Sequence, residues 1–532
     1  MATVEETKAA RPDALDARSL CEAFQITAAK RGDAVAVRTP DGAVELTYAQ
    51  LRDEVERVAR GLHRIGVRAR DTVGLMMVNR PEFHVVDLAA IHLGATPFSV
   101  YNTSSREQIE YLFTDAGNKV AIVERAFAER IPDGSDVVLI EELGELDPDP
   151  DLDFEAAWRA VGPDDVLTLI YTSGTTGPPK GVELTHANML AELRGLDEFL
   201  GAMEPGRAVS FLPSAHIADR WASQYTAICT YGHALTCCPD PREVMAVVRE
   251  VHPTIFGAVP RVWEKTKAAL EAGSVPAEAV KPALGLDQCE RFVIGAAPTP
   301  VEVLEYFAAA GIVIQEVWGM SELSCVATMV PADDARFGTV GVPIPGVEVK
   351  LADDGELLVR GAIAMRGYRN QPEKTAETLD ADGWLHTGDV ATIDDDGFVT
   401  IVDRKKELII NAAGKNMSPA NIEAALKSAG PLIGQAVVIG DRRPYNVALL
   451  VLDPETGAEP RNPEVLERVQ SEVDAANSRL SRVEQIKRFA LLEDEWLPGG
   501  DELTPTMKLK RKPIAEKYGA RIEALYGAEG AA

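Results

Sequence analysis

The chain has 532 residues, of which 46% are hydrophobic and 26% are charged, as in ordinary globular proteins and unlike disordered chains. This length exceeds that of a typical single domain, so we expect more than one domain. The formal net charge is −29. So acidic a chain is a poor candidate for binding nucleic acid or an anionic membrane surface, because both carry negative charge.

Six cysteines are spread along the chain without a Cys-x-x-Cys pair or a His/Cys cluster at zinc spacing. This pattern argues against a disulfide framework and against a zinc site. The first residues, Met1 to Glu6, lack the basic and apolar regions of a signal peptide. No apolar run reaches the roughly 20 residues of a membrane span. We therefore expect a cytoplasmic protein without an integral membrane segment, and peripheral contact with a membrane is left open.

Helical and strand patterns alternate in the first part of the chain. Thr47 and Gln50 have the spacing of a capping box, and apolar residues then recur at helical spacing up to Leu62. Ser104 and Glu107 have the same spacing and predict the start of a later helix. Between and after these, a helix is predicted from Pro81 to near Gly94, and strands are predicted over residues 72–78, 95–100 and 120–123. Strands that alternate with helices predict an α/β fold with doubly wound, mostly parallel sheets.

A loop rich in hydroxyls and glycines follows an apolar strand pattern at residues 166–171. Glycines let a backbone turn tightly and present N–H groups to an anion, hydroxyls add donors, and lysine adds a mobile positive charge. Pro179 stands where a Walker A loop has glycine before its lysine, so a P-loop kinase or ATPase is disfavoured. The alternative is a polar loop that binds nothing, but the density of donors favours phosphate binding. The loop contains Thr172, Ser173, Gly174, Thr175, Thr176, Gly177 and Lys180.

Two later strand patterns end in residues that suit a flat ligand. Small residues let a ligand lie close to the backbone, and an indole can stack on it. For each stretch the alternative is tight packing without a ligand. The first pattern ends at Gly295, Ala296 and Ala297, and the second leads into Trp318, Gly319, Met320, Ser321 and Glu322.

Short strands and Asp-Gly turns beyond residue 337 predict a small antiparallel β subdomain. A charged stretch follows its last strand, and we place a domain boundary within it, after Arg404. This gives an N-terminal domain of residues 1–404 and a small α+β C-terminal domain of residues 405–532. Four basic residues between Lys508 and Lys512 are an outlier in so acidic a chain. They favour contact with an anion over a solvated basic face or a nucleic-acid patch.

Five separated stretches resemble, in order, the motifs of the adenylate-forming superfamily of acyl-CoA synthetases, luciferases and peptide-synthetase adenylation domains. The resemblance spans roughly residues 20 to 515, nearly the whole chain. It implies a large AMP-binding domain joined by a hinge to a mobile C-terminal domain. The stretches are residues 172–180, Trp318 to Glu322, Trp384 to Asp389, Asp403 to Lys406, and Thr504 to Arg511.

The resemblance also implies an activity. In this family a carboxylate attacks the α-phosphate of ATP to give acyl-AMP and pyrophosphate, and a thiol, usually that of coenzyme A, then displaces AMP. Neither step needs a covalent enzyme intermediate, so the protein supplies positioning and electrostatic stabilisation. The expected ligands are ATP, Mg²⁺ and coenzyme A, and the expected substrate is a fatty acid or another carboxylic acid.

By this resemblance, Lys508 is expected to bridge the substrate carboxylate and the α-phosphate, with Lys180 on the other phosphates. Glu322 is expected to ligate Mg²⁺, the hard cation that prefers carboxylate and phosphate oxygens. His216 falls where the family places a residue near the acyl carboxylate, although a lone histidine is more often structural. Lys406 falls at the family's hinge.

The nucleotide-binding roles follow from the same resemblance. The loop that starts at Thr172 is expected to hold the β- and γ-phosphates, and Ser321 is expected to touch the α-phosphate. Asp389 is expected to accept hydrogen bonds from both ribose hydroxyls, with Arg404 in support. The residues expected around adenine and the adjoining phosphate are Gly295, Ala296, Ala297, Trp318, Gly319 and Met320.

Departures from the family pattern leave alternatives open. Ser321 replaces the usual threonine and keeps the hydroxyl, whereas Met507 stands where many members have glycine before the catalytic lysine. The stretches around residues 212–220 and 504–512 nevertheless resemble the long-chain branch of acyl-CoA synthetases. The first interpretation is therefore a long-chain fatty acid–CoA ligase, an acid–thiol ligase. The alternatives are an acyl-AMP ligase that loads a carrier protein, a ligase for another acid, and a non-catalytic nucleotide-binding protein.

Overall fold

The computed structural model describes residues 10–172, 178–411, 415–504 and 507–527. A π-helix, Arg220–Tyr231, directly follows a short α-helical turn. The α-helices are α1 (Leu20–Arg31), α2 (Tyr48–Arg64), α3 (Pro81–His92), α4 (Arg106–Ala116), α5 (Phe154–Ala160), α6 (His186–Leu200), α7 (Ile217–Asp219), α8 (Val244–Val251), α9 (Pro260–Ala272), α10 (Ala277–Ala283), α11 (Val301–Ala309), α12 (Pro372–Thr378), α13 (Pro419–Ser428), α14 (Pro463–Arg479), α15 (Arg511–Lys517) and α16 (Gly519–Gly527).

The strands are β1 (Val35–Arg38), β2 (Glu45–Thr47), β3 (Thr72–Met76), β4 (Thr96–Ser99), β5 (Asn118–Val123), β6 (Val137–Leu139), β7 (Val166–Thr172), β8 (Lys180–Thr185), β9 (Arg207–Ser210), β10 (Ala234–Cys237), β11 (Ile255–Ala258), β12 (Arg291–Ile294), β13 (Ile314–Trp318), β14 (Thr328–Met329), β15 (Val342–Pro343), β16 (Val347–Leu351), β17 (Glu356–Gly361), β18 (Gly367–Tyr368), β19 (Leu385–Ile393), β20 (Val399–Arg404), β21 (Ile409–Ile410), β22 (Asn416–Met417), β23 (Ile433–Ile439), β24 (Asn446–Leu452) and β25 (Ile486–Leu491).

The three sheets built mainly from strands before β16 are mostly parallel and are connected by crossovers. Their strand orders are β18-β8-β7-β4-β3-β5-β6, β11-β12-β13-β14-β15 and β2-β1-β10-β9. The inner strands pair in parallel, whereas β2, β8, β14, β15 and β18 add antiparallel pairs. Buried helices such as α3 cover the sheets, because parallel sheets need both faces shielded from water. The predicted doubly wound α/β architecture is confirmed.

Helix caps follow the local sequence, with one correction. Thr47 caps α2 and exchanges both capping-box hydrogen bonds with Gln50, as predicted. The predicted cap of α4 is wrong by one residue, because Ser105 rather than Ser104 is the N-cap and pairs with Gln108. Ser104 is instead buried. Tertiary placement therefore decides between two serines that have the same capping spacing.

The predicted antiparallel subdomain is present, with the strand order β16-β17-β19-β20. Its tight turns use glycine where the backbone is left-handed, as at Gly355 (φ 82°) and Gly397 (φ 86°). In this sheet Asp389 lies opposite Arg404, the last residue of β20. The subdomain therefore places two predicted site residues side by side.

The C-terminal part of the chain packs helices on both faces of the sheet β23-β24-β25. Val438 and Leu450 contribute to the core formed with α13 and α14, whereas Val437 and Leu449 belong to the core formed with α15 and α16. This alternation follows from the two-residue period of a strand. Within the described part of the chain, no helix is both long enough and apolar enough to cross a lipid bilayer.

Candidate active site

The predicted phosphate loop closes a hairpin. β7 ends at Thr172, β8 begins at Lys180, and these two residues lie opposite each other in an antiparallel ladder. On the exit side, the hydroxyl of Tyr111 donates a hydrogen bond of 3.0 Å to the carbonyl of Pro179. Both ends of the loop are therefore fixed in position. The predicted loop residues that lie outside the described part of the chain are Ser173, Gly174, Thr175, Thr176 and Gly177.

Lys180 and Glu322 both contact one tyrosine. The Nζ atom of Lys180 lies 4.0 Å from the centre of the Tyr368 ring, close enough for a cation–π interaction. The Tyr368 hydroxyl donates a hydrogen bond of 2.8 Å to Oε1 of Glu322. Burial lowers the pKa of Lys180, and the Glu322 carboxylate acts in the opposite direction. Tyr368 therefore links the Lys180 ammonium to the Glu322 carboxylate.

A tight turn after β13 brings Glu322 to Tyr368. Gly319 is needed there, because a Cβ at this position would lie 2.0 Å from the carbonyl oxygen of Cys325. The following short 3₁₀ turn, Ser321–Leu323, holds Glu322 with only 6% of its surface exposed. Ser321 and Met320 line the same cleft as Glu322.

The residues around Glu322 fit a magnesium ion bound together with a nucleotide. Mg²⁺ is usually held by one or two carboxylates together with substrate phosphates. An ionised carboxylate has about four acceptor positions, and the Tyr368 hydroxyl uses one of them. Lys180 contacts the same tyrosine as this carboxylate and could bind phosphate groups that accompany the ion.

The residues predicted for adenosine meet at the carboxyl ends of β12 and β13. Ala296 has φ 75°, so the backbone turns sharply directly after the strand, and Ala296 and Ala297 are exposed to the cleft. A non-glycine residue in this conformation stores strain, which is common at binding sites. A Cβ on Gly295 would lie 2.8 Å from Cγ2 of Val317. These small residues leave an open floor on which a flat ring can lie.

Asp389 is held by two donors. Its Oδ2 accepts a hydrogen bond of 2.9 Å from Nε1 of Trp318, and its Oδ1 forms an ion pair of 2.7 Å with Nε of Arg404. Burial raises the pKa of Asp389, and the Arg404 charge opposes this rise. Each carboxylate oxygen keeps acceptor capacity beyond these contacts, as binding of two ribose hydroxyls requires.

Lys508 reaches the same cleft from the C-terminal part of the chain. Its side chain is accessible to the water of the cleft, yet the surrounding protein lowers its pKa, and the charge of Arg404 acts in the same direction. The carboxylates of Asp389 and Glu322 oppose that shift. The structure therefore brings Lys508 to the residues at the nucleotide end of the site.

His216 lines the same cleft as Lys508. Its Nδ1 accepts a hydrogen bond of 3.1 Å from the backbone N–H of Ala218, at the start of α7. Burial lowers the pKa of His216 to about 4, and the positive charge of Lys508 contributes to this shift. The imidazole is therefore neutral at pH 7, with its proton on Nε2, because Nδ1 is an acceptor. It can offer one hydrogen bond towards a negatively charged group.

A buried polar cluster anchors the His216 loop. Oδ1 of Asp219 accepts hydrogen bonds of 3.1 Å from the hydroxyls of both Ser210 and Ser223. Arg220 forms a fully buried ion pair with Asp87. Burial raises the pKa of Asp219 to about 7. Asp219 and Arg220 therefore fix the loop that carries His216 to the core.

One face of the sheet β11-β12-β13 lines a largely apolar channel of the cleft, with Arg291 at the amino end of β12 as its charged member. Ile255 lies opposite Arg291 and Gly257 lies opposite Val293, and all four residues line the cleft. Residues two apart on a strand share a face, so this wall runs along the strands to their carboxyl ends, over roughly 13 Å. Three residues of α6 line the same cleft, namely Leu193, Leu196 and Leu200. The whole cleft has a volume of about 2970 Å³.

Ion pairs join the C-terminal part of the chain to the large N-terminal part. Arg261 of α9 pairs with Asp453, which directly follows β24, and the neighbouring Lys265 pairs with Glu455 over 2.5 Å. Asp453 is the least exposed of these four residues, with 10% of its side chain accessible. These contacts hold the C-terminal part in the orientation that brings Lys508 into the cleft.

The predicted hinge lies beside the end of β20. Lys405 forms ion pairs with Asp354 and, over 3.2 Å, with Glu356 of the antiparallel subdomain. Asp403, two residues before Lys405, accepts a hydrogen bond of 2.5 Å from the hydroxyl of Ser418, the N-cap of α13. Lys406 is exposed. The chain is therefore fixed directly before Lys406.

Sequence reasoning missed Tyr368, which the structure places at the centre of the site. Its stretch, Met365-Arg-Gly-Tyr-Arg369, has no donor-rich loop and no charged cluster that would have marked it. The signal lies in tertiary pairing, because β18 runs antiparallel to β8, the strand that begins with Lys180.

The chain matches two family models. The model of the AMP-binding enzymes matches residues 24–369, and that of the AMP-binding enzyme C-terminal domain matches residues 406–530. Among curated proteins, the chain is similar to the putative fatty-acid–CoA ligase fadD11 of Mycobacterium tuberculosis. The two are 48% identical over 436 residues, which cover 71% of this chain and 76% of that protein. It is also 32% identical to the long-chain-fatty-acid–CoA ligase FadD15 of Mycobacterium bovis over 563 residues, covering 91% of this chain and 93% of that one.

Solved structures share the fold. The O-succinylbenzoate coenzyme A synthetase of Bacillus subtilis in complex with AMP superposes with a TM-score of 0.77 at 24% identity, covering 92% of this chain and 97% of that one. A Mycobacterium tuberculosis fatty acyl CoA synthetase gives a TM-score of 0.68 at 25% identity, covering 95% and 99%. The first family model alone matches well over half of the chain. The chain therefore belongs to the AMP-binding enzyme family.

Proposed function

We propose that this enzyme is an ATP-dependent fatty-acid–CoA ligase that forms an acyl-AMP and then transfers the acyl group to coenzyme A. The observation that carries the proposal is the meeting of Lys508 with Asp389, Glu322 and His216 at the mouth of an apolar channel. Enzymes of this family use ATP with Mg²⁺, and relatives with the names of fatty-acid–CoA ligases support the substrate class.

In the first half-reaction, the acid and the α-phosphate are both negatively charged and must approach each other. We assign Lys508 to the space between them, since its positive charge offsets their repulsion and the charge that develops in the transition state. The Nε2–H of neutral His216 donates a hydrogen bond to the carboxylate and directs its attacking oxygen. When bound, Mg²⁺ supplies further positive charge at the phosphates.

The nucleotide is held by groups that do not react. Asp389 accepts the ribose hydroxyls while Trp318 and Arg404 keep its carboxylate in place. Adenine lies on the open floor formed by Gly295, Ala296 and Ala297. Ser321, in the turn between Trp318 and Glu322, contacts the α-phosphate, and the hairpin loop from Thr172 to Lys180 takes the β- and γ-phosphates.

The acyl chain occupies the channel between the β11-β12-β13 sheet and α6. A channel of roughly 13 Å along the strands suits an extended alkyl chain. Burying each methylene contributes about 0.8 kcal/mol, so a long chain gains several kcal/mol from an apolar wall of this length. This favours long over short acids.

We further propose that residues 1–404 and 405–532 are two domains that move relative to each other about Lys406. The last strand of the antiparallel subdomain ends at Arg404, and the C-terminal family match begins at residue 406. After adenylation, rotation about this point withdraws Lys508 and opens the acyl-AMP to the thiol of coenzyme A.

The test is pyrophosphate release with ATP, Mg²⁺ and straight-chain acids of increasing length, with and without coenzyme A. Release that increases with chain length, together with formation of the acyl-CoA thioester, is expected. Accumulation of acyl-AMP despite coenzyme A would identify a ligase that loads a carrier protein. Absence of release with every acid would contradict the catalytic assignment and favour a nucleotide-binding protein.

A further inference from the structure

We propose that Tyr368 is a positioning residue for the Mg²⁺–ATP site: its hydroxyl fixes the Glu322 carboxylate, and its ring holds Lys180 until phosphate arrives. The inference rests on the proposed function, because it takes Glu322 as the metal ligand and Lys180 as a phosphate ligand. It adds to that function the residue that keeps these two opposite charges from neutralising each other.

The contacts of Tyr368 separate its two effects. The hydroxyl donates a hydrogen bond of 2.8 Å to Oε1 of Glu322, and the face of the ring lies 4.0 Å from Nζ of Lys180. Tyr368 and Glu322 are each only 6% exposed, so a lost hydrogen bond at Glu322 is not simply replaced by bulk water. Tyr368 therefore orients the Glu322 carboxylate through its hydroxyl and holds the Lys180 ammonium against the face of its ring.

The backbone around Tyr368 is built to hold it still. β18 pairs with β8, and Tyr368 lies opposite Val182. The N–H of Tyr368 donates to the hydroxyl of Thr375 over 2.9 Å, and the N–H of Arg369 donates to the carbonyl of Gly181 over 2.8 Å. The N–H of Met365 donates to the carbonyl of Glu322 over 2.8 Å.

These hydrogen bonds connect the short β18 segment to both halves of the site. One connection reaches the residue that follows Lys180, and another reaches the backbone of Glu322 itself. A functional group is effective when the residue that orients it is itself locked by packing and hydrogen bonds. Tyr368 meets that condition. A tyrosine that only filled space would not need contacts with both Lys180 and Glu322.

A consequence follows for the enzyme before nucleotide binds. Lys180 and Glu322 carry opposite charges and contact the same tyrosine side chain, so they attract each other. Without the Tyr368 ring and hydroxyl, the ammonium moves to the carboxylate and occupies the oxygens that a cation needs. Metal and phosphate must then break a direct ion pair, which weakens the binding of both.

The test compares Tyr368→Phe with Tyr368→Leu and uses Tyr48→Phe as a matched control. Tyr48 is fully buried and donates a 2.8 Å hydrogen bond to the carbonyl of His233, outside the ligand contacts. ATP binding is measured by titration calorimetry without any acid, first in EDTA and then with Mg²⁺. The Mg²⁺ concentration that gives half-maximal pyrophosphate release is measured separately.

Tyr368→Phe keeps the ring and loses the hydroxyl, so its affinity for metal-free ATP stays within about twofold of the wild type. Its half-maximal Mg²⁺ concentration rises by about tenfold, the scale of a hydrogen bond to a charged group. Tyr368→Leu shows the same metal effect and in addition binds metal-free ATP several-fold more weakly. Tyr48→Phe changes neither quantity.

An unchanged Mg²⁺ dependence in Tyr368→Phe would overturn the role of the hydroxyl. Metal-free ATP binding that is equal in the Phe and Leu variants would overturn the role of the ring. Because nucleotide binding is measured without acid, these outcomes are distinct from a failure to find the right substrate. An enzyme that binds ATP normally but activates no acid would contradict the proposed function alone.

Discussion

Replacing Gly257 by leucine is expected to shorten the acyl channel. A Cβ at Gly257 would lie 3.5 Å from Cβ of Val293 and 3.8 Å from its carbonyl oxygen, which are ordinary contacts. The backbone therefore tolerates a side chain, and the rest of the leucine side chain projects into the channel that Gly257 lines. The substitution should block the channel without disturbing the strand.

The position of Gly257 along the strand sets the length of acid that still fits. It lies opposite Val293, two residues before Gly295 at the carboxyl end of the sheet. Two strand residues span roughly 7 Å. An extended alkyl chain with bonds of about 1.5 Å advances about 1.25 Å per carbon, so roughly five or six carbons fit above the block. Hexanoate should remain a substrate of Gly257→Leu, and hexadecanoate should not.

The expected loss for a long acid is large. Beyond the block about 6 Å of the roughly 13 Å wall remains, so roughly five methylenes of hexadecanoate would lose their burial there, worth about 4 kcal/mol as an upper bound at about 0.8 kcal/mol each. The chain can find partial burial elsewhere in the cleft, so we expect kcat/KM for hexadecanoate to fall at least about 100-fold, which corresponds to about 2.7 kcal/mol. For hexanoate, kcat/KM should change by less than about threefold.

The assay is pyrophosphate release with even-numbered acids from four to sixteen carbons. Gly257→Ala should give an intermediate cut-off, and Gly144→Leu serves as the control, because nothing lies within 4 Å of a Cβ at that exposed position. Equal losses for short and long acids would mean that the strand is damaged rather than the channel filled. An unchanged chain-length profile would show that the acyl chain does not pass Gly257.

Three further outcomes follow from the site. Lys508→Ala should reduce acyl-AMP formation by about 10²- to 10³-fold while thioester formation from supplied acyl-AMP stays largely intact; equal loss of both steps would contradict its role. Asp453→Arg and Arg261→Asp should each slow acyl-AMP formation by about fivefold, and the double variant should recover it, as measured by single-turnover kinetics. Burial raises the pKa of Asp219 from its ordinary 3.8 to about 7, so folding takes up a proton and stability falls as pH rises from 4 to 7. Asp219→Asn removes this dependence, so the melting temperature of the variant should rise relative to that of the wild type as pH increases from 4 to 7. If the difference between the two melting temperatures stayed constant over this range, Asp219 would not titrate there in the folded protein.

Local signals in the sequence were sufficient for much of the fold. The capping box at Thr47 and the strand patterns before α3 and α4 depend on neighbours within a few residues, so they could be read without tertiary information. The misplaced cap at Ser104 shows the limit of this reading. Two adjacent serines satisfy the same spacing, and only the burial of Ser104 against the core decides which one caps the helix.

The site was predictable as a set of motifs but not as a set of contacts. The resemblance placed Lys180 and Glu322 in one phosphate site, yet it gave no reason to look at Tyr368, which is 46 residues beyond Glu322 in sequence. The Arg220–Asp87 ion pair joins residues 133 positions apart and has no periodic signature. Such pairs follow from the packing of strands and helices, which a motif does not encode.

The delivery of Lys508 by a separate part of the chain has a chemical consequence. In the proposed mechanism Lys508 offsets the negative charge of the adenylation transition state, and the reverse reaction, attack of pyrophosphate on acyl-AMP, passes through the same state. A lysine that stayed in place would therefore accelerate both directions equally. The exposed ion pair of Lys265 with Glu455 is a weak contact of the kind that can be broken and remade, whereas the Asp219 and Arg220 cluster beneath the cleft is buried and fixed. The proposed rotation about Lys406 would withdraw Lys508 after adenylation and remove its stabilisation from the reverse step. The acyl-AMP would stay bound to the fixed half of the site, which favours onward transfer to the thiol.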